Sequence, residues 1–159
     1  MTTHREAIFV NGLWVEKDPF PEDIAKPIDE VGLTSAPMES MAFFFAQHCK
    51  DYTEDFMLCK NESSDQTKCL KEGRKVTRCA MDLISKLKAN CDKQWEQHWK
   101  CMDTNNHLLW LCRPQEKEFN DCVFNKLGLT KHIPGVPEGE TPVHLKENPM
   151  FKREPVPWK

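Results

Sequence analysis

The chain has 159 residues, of which 39% are hydrophobic and 30% charged, and its formal net charge is -3. This length accommodates one ordinary domain or two very small ones. The slight acidic excess argues against nucleic acid as the main partner, because a phosphate-binding surface needs an excess of basic residues.

No stretch of the sequence has the length and polarity of a membrane-spanning or targeting segment. The longest apolar run, Met41–Ala46, is far shorter than the ~20 residues of a transmembrane helix. The N-terminal stretch lacks the apolar region of ~7–15 residues that a secretory signal carries. It also contains Glu6, Glu16 and Asp18, whereas mitochondrial presequences are poor in acidic residues. We therefore expect neither a span nor a cleavable leader.

Proline marks two arms, residues 1–37 and 129–159, which together hold ten of the eleven prolines. Proline lacks the amide hydrogen that helices and strand ladders use, so both arms are predicted to be extended. Extended segments with isolated large apolar side chains can cover a partner and become ordered on binding. The alternative is that they are disordered tails. The candidate anchors are Phe9, Trp14, Phe151 and Trp158.

Between the arms, apolar residues recur at helical spacing in four stretches. They run from Met41 to Cys59, Cys69 to Leu87, Cys91 to Met102, and Cys112 to Leu127. Turn-forming residues at 61–65 and 103–106 separate the first stretch from the second and the third from the fourth. The pattern predicts four short helices arranged as two hairpins.

Helix ends can be placed from local chemistry. Asn90 or Asp92 is expected to cap the third helix, and Gly128 to end the fourth. Pro114 would be costly deep inside a helix but is tolerated in the first turn. The fourth helix should therefore start near Cys112–Pro114, with Leu108–Leu111 as an apolar connector.

The eight cysteines form four pairs, and nine residues separate the members of every pair. The pairs are Cys49 and Cys59, Cys69 and Cys79, Cys91 and Cys101, and Cys112 and Cys122. Ten helical residues rise about 15 Å, while bridged Cα atoms lie within about 7 Å. A pair within one helix therefore cannot bond to itself. The bonds must join different helices.

In an antiparallel hairpin, equal spacing places both cysteines of one helix opposite the two cysteines of the other helix. This predicts the disulfides Cys49–Cys79, Cys59–Cys69, Cys91–Cys122 and Cys101–Cys112. The alternative pairing, Cys49–Cys69 with Cys59–Cys79, needs parallel helices and a longer connector. One geometric difficulty remains, because ten residues of straight helix leave two cysteines roughly 80° apart around the axis.

Metal binding and redox catalysis are the competing interpretations of so many cysteines. Structural zinc sites use cysteines about two to four residues apart, and reactive redox pairs use C-x-x-C; neither spacing occurs here. His48 and His98 lack ligand spacing to the neighbouring cysteines and are expected at the surface or its rim. We predict no metal, cofactor or catalytic residue.

Paired C-x9-C helices resemble the coiled-coil-helix-coiled-coil-helix (CHCH) family of the mitochondrial intermembrane space. The stretches 56–60, 69–80, 119–123 and 126–128 are similar to a narrower group with two such hairpins in tandem, the accessory subunits of respiratory complex I. The similarity extends over residues 31–130. It indicates an all-α protein with hairpins at 38–88 and 89–128 between the two arms.

The resemblance implies a structural and assembly role without enzymatic activity, flavin, iron–sulfur cluster or quinone. It implies import without a presequence, oxidation by the disulfide relay, and peripheral attachment to the intermembrane-space side of the membrane arm. The partners would be other complex I subunits. The alternative within the same class is an assembly factor or metallochaperone, although copper carriers use adjacent cysteines and none occur here. A thiol oxidoreductase or a secreted disulfide protein is a more distant alternative.

Several aromatic and aliphatic residues either contact a partner or pack within the hairpins. Residues 43–45 are three consecutive phenylalanines that point three ways around a helix, so one hairpin cannot bury all three, and at least one is expected to face a partner. Apolar residues beside the cysteines either dock to the relay or form the hairpin core. They are Phe56, Val76, Trp95 and Phe119.

Overall fold

The computed structural model describes residues 7–16, 30–63 and 65–146. This part of the chain is mainly helical, as predicted. Its α-helices are α1 (Ser35–His48), α2 (Lys50–Glu62), α3 (Leu70–Thr104) and α4 (Arg113–Leu127). Short 3-10 turns occupy Gln66–Cys69, Leu109–Leu111 and Val143–Leu145. Two short strands, β1 (Ala7–Val10) and β2 (Leu13–Glu16), add a hairpin to the N-terminal arm.

The strands pair antiparallel, with Ala7 opposite Glu16 and Val10 opposite Leu13. The turn between them is Asn11-Gly12, and both residues have positive φ, 51° and 85°. Asn-Gly with this backbone is the favoured two-residue hairpin turn. The arm is extended here as predicted, and the Asn-Gly turn between two apolar runs pairs its strands into a hairpin that the proline pattern alone does not indicate. Phe151 and Trp158 lie outside the described residues.

Two interruptions of the helical backbone, at Cys49 and at Cys91, are compared with the boundaries of the four predicted helices. The first predicted helix is interrupted at Cys49, whose φ of -107° and ψ of 19° end α1 before α2 begins. The second and third predicted helices meet within α3 at a kink, where Cys91 has non-helical φ and ψ of -131° and 23°. The break falls at Cys91, between the predicted cap residues Asn90 and Asp92, and the side-chain amide of Asn90 donates back to the Lys86 carbonyl at 2.9 Å.

The fourth helix follows its prediction closely. It starts at Arg113 with Pro114 in the first turn, and Leu109–Leu111 forms a 3-10 connector ahead of it. It ends at Gly128, whose φ of 63° is left-handed. Glycine adopts this conformation without the steric cost that a Cβ imposes, which is why it commonly terminates helices.

The described residues fall into two compact units. One contains residues 31–50 and 79–146, and its apolar core is built by α1, the part of α3 that follows Arg78, and α4. We call these core residues the helical core; they are Met41, Phe44, Leu83, Ile84, Leu87, Cys91, Trp95, Phe119 and Val123. The rings of Phe44 and Phe119 meet edge to face at 5.5 Å.

The other unit contains residues 51–78 together with 7–16 and 30. Within the described part of 51–78, Cys69 is the only buried residue. The Phe56 ring lies against α3 at Gly73, where an added Cβ would come 3.3 Å from the ring. Tyr52 in the first apolar stretch is 46% exposed, and Met57 and Leu58 are more exposed still, at 60% and 59%. The division of the chain at 37/38, 88/89 and 128/129 stays a prediction.

Candidate functional site

The structure joins the eight cysteines in four disulfides. Its pairs are Cys49–Cys79, Cys59–Cys69, Cys91–Cys122 and Cys101–Cys112, with Cα–Cα distances of 5.9, 5.8, 6.0 and 5.8 Å. These distances match the usual separation in disulfides, about 5.5–6 Å. The structure thus brings together the cysteines that the antiparallel arrangement pairs, and not those of the parallel alternative.

The break points of the helices resolve the rotation problem of the C-x9-C spacing. In each pair one cysteine lies inside a helix, while the other lies at a kink or a helix boundary. The boundary cysteines are Cys49 after α1, Cys69 at the end of a 3-10 turn, Cys91 at the kink in α3, and Cys112 before α4. A straight helix would leave the two sulfurs roughly 80° apart around its axis. The local change of backbone direction compensates for this difference.

Hydrogen bonds support the disulfides near the end of α3. The Asn105 side-chain nitrogen donates to the Cys101 carbonyl at 2.8 Å and lies 3.5 Å from Sγ of Cys101 and 3.8 Å from Sγ of Cys112. At the kink, Nζ of Lys126 donates to the Asn90 carbonyl at 2.7 Å. This bond uses the backbone carbonyl of Asn90 and ties α4 to the kink in α3.

A cluster of buried charged groups lies on the α4 side of the same unit. The Glu116 carboxylate accepts hydrogen bonds from Arg113 and from Nζ of Lys131, the latter at 2.6 Å. The side chains of Glu116 and Lys131 are each 3% exposed. Lys131 also lies 3.4 Å from the Asn120 side-chain oxygen and 4.7 Å from the Phe43 ring centroid. It thereby attaches the segment after α4 to both α4 and α1.

The two buried partners stabilise each other's charge. Burial alone would raise the pKa of the Glu116 carboxyl, but the charges and hydrogen bonds of Lys131 and Arg113 outweigh this and hold the pKa below its usual value. Burial lowers the pKa of the Lys131 ammonium, and Glu116 offsets part of that shift. The cluster is therefore an ion pair that depends on both members, since a buried charge without its partner is strongly unfavourable.

His98 was expected at the surface or its rim, and that expectation is wrong. It is 2% exposed, its Nδ1 lies 2.7 Å from the Ser40 hydroxyl, and its ring stacks on Phe119 with centroids 5.8 Å apart. Its place on the buried side of α3, three residues after Trp95, is the signal that would have found it. His48, by contrast, is a rim residue that contacts Asp82 at 3.1 Å.

Burial of His98 makes folding stability depend on pH. Desolvation lowers its pKa from 6.5 to about 4. Below pH 6.5 the unfolded chain therefore binds a proton that the folded chain does not. The stabilisation is complete above pH 6.5 and is lost as the pH falls toward 4. We expect the free energy of unfolding to drop by about 2 kcal/mol from this residue by about pH 5.

Urea denaturation between about pH 7.5 and pH 5 measures the slope of the free energy of unfolding against pH. His98→Gln should flatten it, whereas His132→Gln, at an exposed position, should leave it unchanged. A slope that survives in His98→Gln at its full size would contradict the assignment.

The three consecutive phenylalanines are buried to different extents, and the expectation that one of them faces a partner stays a prediction. Phe44 is 1% exposed in the helical core, and Phe45 packs partly buried against that core. Phe43 is half-buried beneath the Lys131 ammonium. None of the three is an exposed residue, because the segment after α4 covers the side of α1 that a lone hairpin would leave open.

No helix among residues 30–63 and 65–146 is long and apolar enough to cross a membrane. In the same described residues, no cluster of three or more histidine, cysteine, aspartate or glutamate side chains has the geometry of a metal site.

The disulfide-linked helices define the class of the protein, and the CHCH domain family matches residues 91–125. Over 141 residues the chain is 45% identical to the NADH-ubiquinone oxidoreductase 20.8 kDa subunit of Neurospora crassa, covering 87% of this chain and 76% of that subunit. It is 31% identical over 86 residues to the NADH dehydrogenase (ubiquinone) 1 alpha subcomplex subunit 8-B of Arabidopsis thaliana, covering 54% of this chain and 81% of that protein. The chain belongs to this family of NADH-ubiquinone oxidoreductase subunits, which confirms the resemblance drawn from the tandem motifs.

Proposed function

We propose that this chain is a non-catalytic accessory subunit of mitochondrial NADH-ubiquinone oxidoreductase, complex I, with a structural and assembly role. The observation that carries the proposal is the combination of the family match at 45% identity over most of the chain with four disulfides across its helices. Disulfides at this density persist in oxidising compartments. This supports a position on the intermembrane-space face, peripheral to the membrane arm.

The use of the polar groups supports a structural role rather than catalysis. All eight cysteines are joined in disulfides, so none provides a thiolate. Glu116, Lys131 and Arg113 are engaged with one another, and His98 is buried against Ser40 and Phe119. These are groups that an enzyme would direct into a cleft. Here their hydrogen bonds and charges attach one segment of the protein to another.

The proposal includes the route by which the chain reaches its site. The disulfide relay would oxidise it after import, with the pairs Cys49–Cys79, Cys59–Cys69, Cys91–Cys122 and Cys101–Cys112 as the product. The arms at 1–37 and 129–159 would extend over neighbouring subunits. The hairpins at 38–88 and 89–128 would form the disulfide-linked centre of the protein. Extended segments with isolated large apolar side chains can cover much partner surface and become ordered on binding.

Comigration with the active enzyme tests the proposal. A tagged chain is expressed in mitochondria, the membranes are solubilised gently, and a native gel is stained for NADH dehydrogenase activity. The tag should migrate with the active band, and Cys59→Ser or Cys101→Ser should remove it. Ser85→Ala, an exposed substitution, is the control and should migrate like the parent. A signal confined to small soluble fractions would overturn the subunit proposal and favour an assembly factor or metallochaperone, which the copper content of the purified chain would then distinguish.

A further inference from the structure

Four cations form a row on the unit that contains residues 51–78. They are Lys68, at the end of the 3-10 turn, and Lys71, Lys75 and Arg78 on α3, and all four are exposed. Their spacing of three, four and three residues places them on one face of the helix. The row spans about 15 Å along the axis. We call it the basic stripe.

The basic stripe lies on the side of α3 that faces away from α2. Helix α2 meets α3 at the Cys59–Cys69 bond and where Phe56 covers Gly73. At about 100° per residue, Gly73 lies roughly half a turn around the axis from Lys71. The disulfide therefore holds α2 behind the stripe and leaves the stripe open.

These charges are not neutralised within the described residues, where the structure shows no ion pair to any of the four. Two other exposed lysines of α3 do form ion pairs within their own helix. Lys86 pairs with Asp82 at 2.6 Å and Lys100 with Glu96 at 2.8 Å, each across one helical turn. Asp82 lies one turn beyond Arg78, but its carboxylate contacts Lys86 and His48 instead. Glu72 lies within the row in sequence, and the described residues show no ion pair between it and any of the four cations.

The hairpin that carries the stripe contributes little to burial. Only Cys69 is buried in the described part of 51–78, and α2 buries no residue at all. The Cys59–Cys69 disulfide therefore holds α2 against the first part of α3, residues 70–78, and neither segment adds a buried residue to an apolar core. An element kept in shape without a core of its own has the properties of a docking element.

We propose that the basic stripe is the docking surface for an acidic segment of a neighbouring subunit, an inference that rests on the proposed function. Carboxylates three and four residues apart on a helix would match the spacing of the stripe. A protein partner fits better than an anionic membrane, because a membrane-binding helix combines its cations with a large apolar face. The large exposed apolar side chains in the described part of this hairpin, Tyr52, Met57 and Leu58, belong to α2. The net charge of -3 also opposes general attraction to anionic surfaces.

Charge reversal tests the docking surface in the full chain. One variant replaces Lys68, Lys71, Lys75 and Arg78 with glutamate. The matched control makes the same change in net charge at four exposed lysines of the other unit, Lys88, Lys93, Lys117 and Lys146. Circular dichroism and a thiol assay establish that both variants are folded and oxidised. The stripe variant should lose incorporation into the active complex by at least about tenfold, because like charges brought face to face disfavour association, while the control stays near the parent.

Three results would overturn the proposal. The stripe variant could incorporate like the parent, or the control could lose incorporation to the same extent, which would indicate a general effect of charge. The parent could also bind vesicles containing phosphatidylglycerol, with the stripe variant failing to do so, which would make the partner a lipid surface. Absence of the unmodified chain from the complex is a separate result that refutes the proposed function, and the inference would fail with it.

Discussion

Full reduction of the oxidised protein will abolish most of its helical circular dichroism. The helical core draws only nine buried residues from three helices, and short helices are marginal in water without tertiary support. On a chain-entropy estimate, Cys91–Cys122, with a separation of 31 residues, contributes about 4 kcal/mol, and Cys59–Cys69, with a separation of 10, about 3 kcal/mol. Nested loops add less than their sum, but the total still rivals the ~5–15 kcal/mol net stability of an ordinary domain.

Two double variants separate the contributions of the disulfides. Cys91→Ser with Cys122→Ser opens a bond inside the helical core, where Cys91 is fully buried, and should lower the thermal midpoint of the whole core. Cys59→Ser with Cys69→Ser should reduce helicity at α2 while the core melts nearly as before, because α2 buries nothing. A chain that keeps its full helical signal after thiol titration shows eight free cysteines would contradict this account.

Glu116→Ala should destabilise the fold by about 3–5 kcal/mol, the cost of removing one partner from a buried ion pair. The substitution leaves the Lys131 ammonium, 3% exposed, and the Arg113 guanidinium, 11% exposed, without their counter-charge. It also frees the segment after Gly128 from its attachment to α4. The expected result is a lower midpoint in urea denaturation and faster proteolysis beyond residue 128.

Glu118→Ala is the matched control, because Glu118 lies on the same helix but is exposed. Exposed substitutions of this kind usually change stability by no more than about 0.5 kcal/mol. Equal losses in the two variants would show that the cluster contributes nothing beyond a surface charge.

The cysteine pattern carried the most structural information in the sequence. Four repeats of one spacing indicated helices and excluded bonds within a helix, because the rise between paired residues is too large. Pro114 and Gly128 placed the ends of α4 to within a residue, since both residues have narrow backbone preferences. These signals are local. They follow from one stretch of chain without knowledge of what packs against it.

Features that depend on distant contacts were not predictable in this way. Lys131 is an ordinary polar residue of a proline-containing arm until Glu116, fifteen residues earlier, is placed beside it. His98 had no identifiable partner until Ser40, 58 residues away, was brought against it. The kinks at Cys49 and Cys91 also depend on tertiary structure, because they arise where two cysteines of one stretch must both meet their partners.

The most direct test of the account is peptide mapping, without reduction, of the chain recovered from the active complex on a native gel. The account predicts that the chain is present in that band and yields the four linked peptide pairs Cys49–Cys79, Cys59–Cys69, Cys91–Cys122 and Cys101–Cys112. Recovery of the chain with free thiols or exchanged pairs would contradict the disulfide framework. Its absence from the active band would contradict the assignment as a subunit.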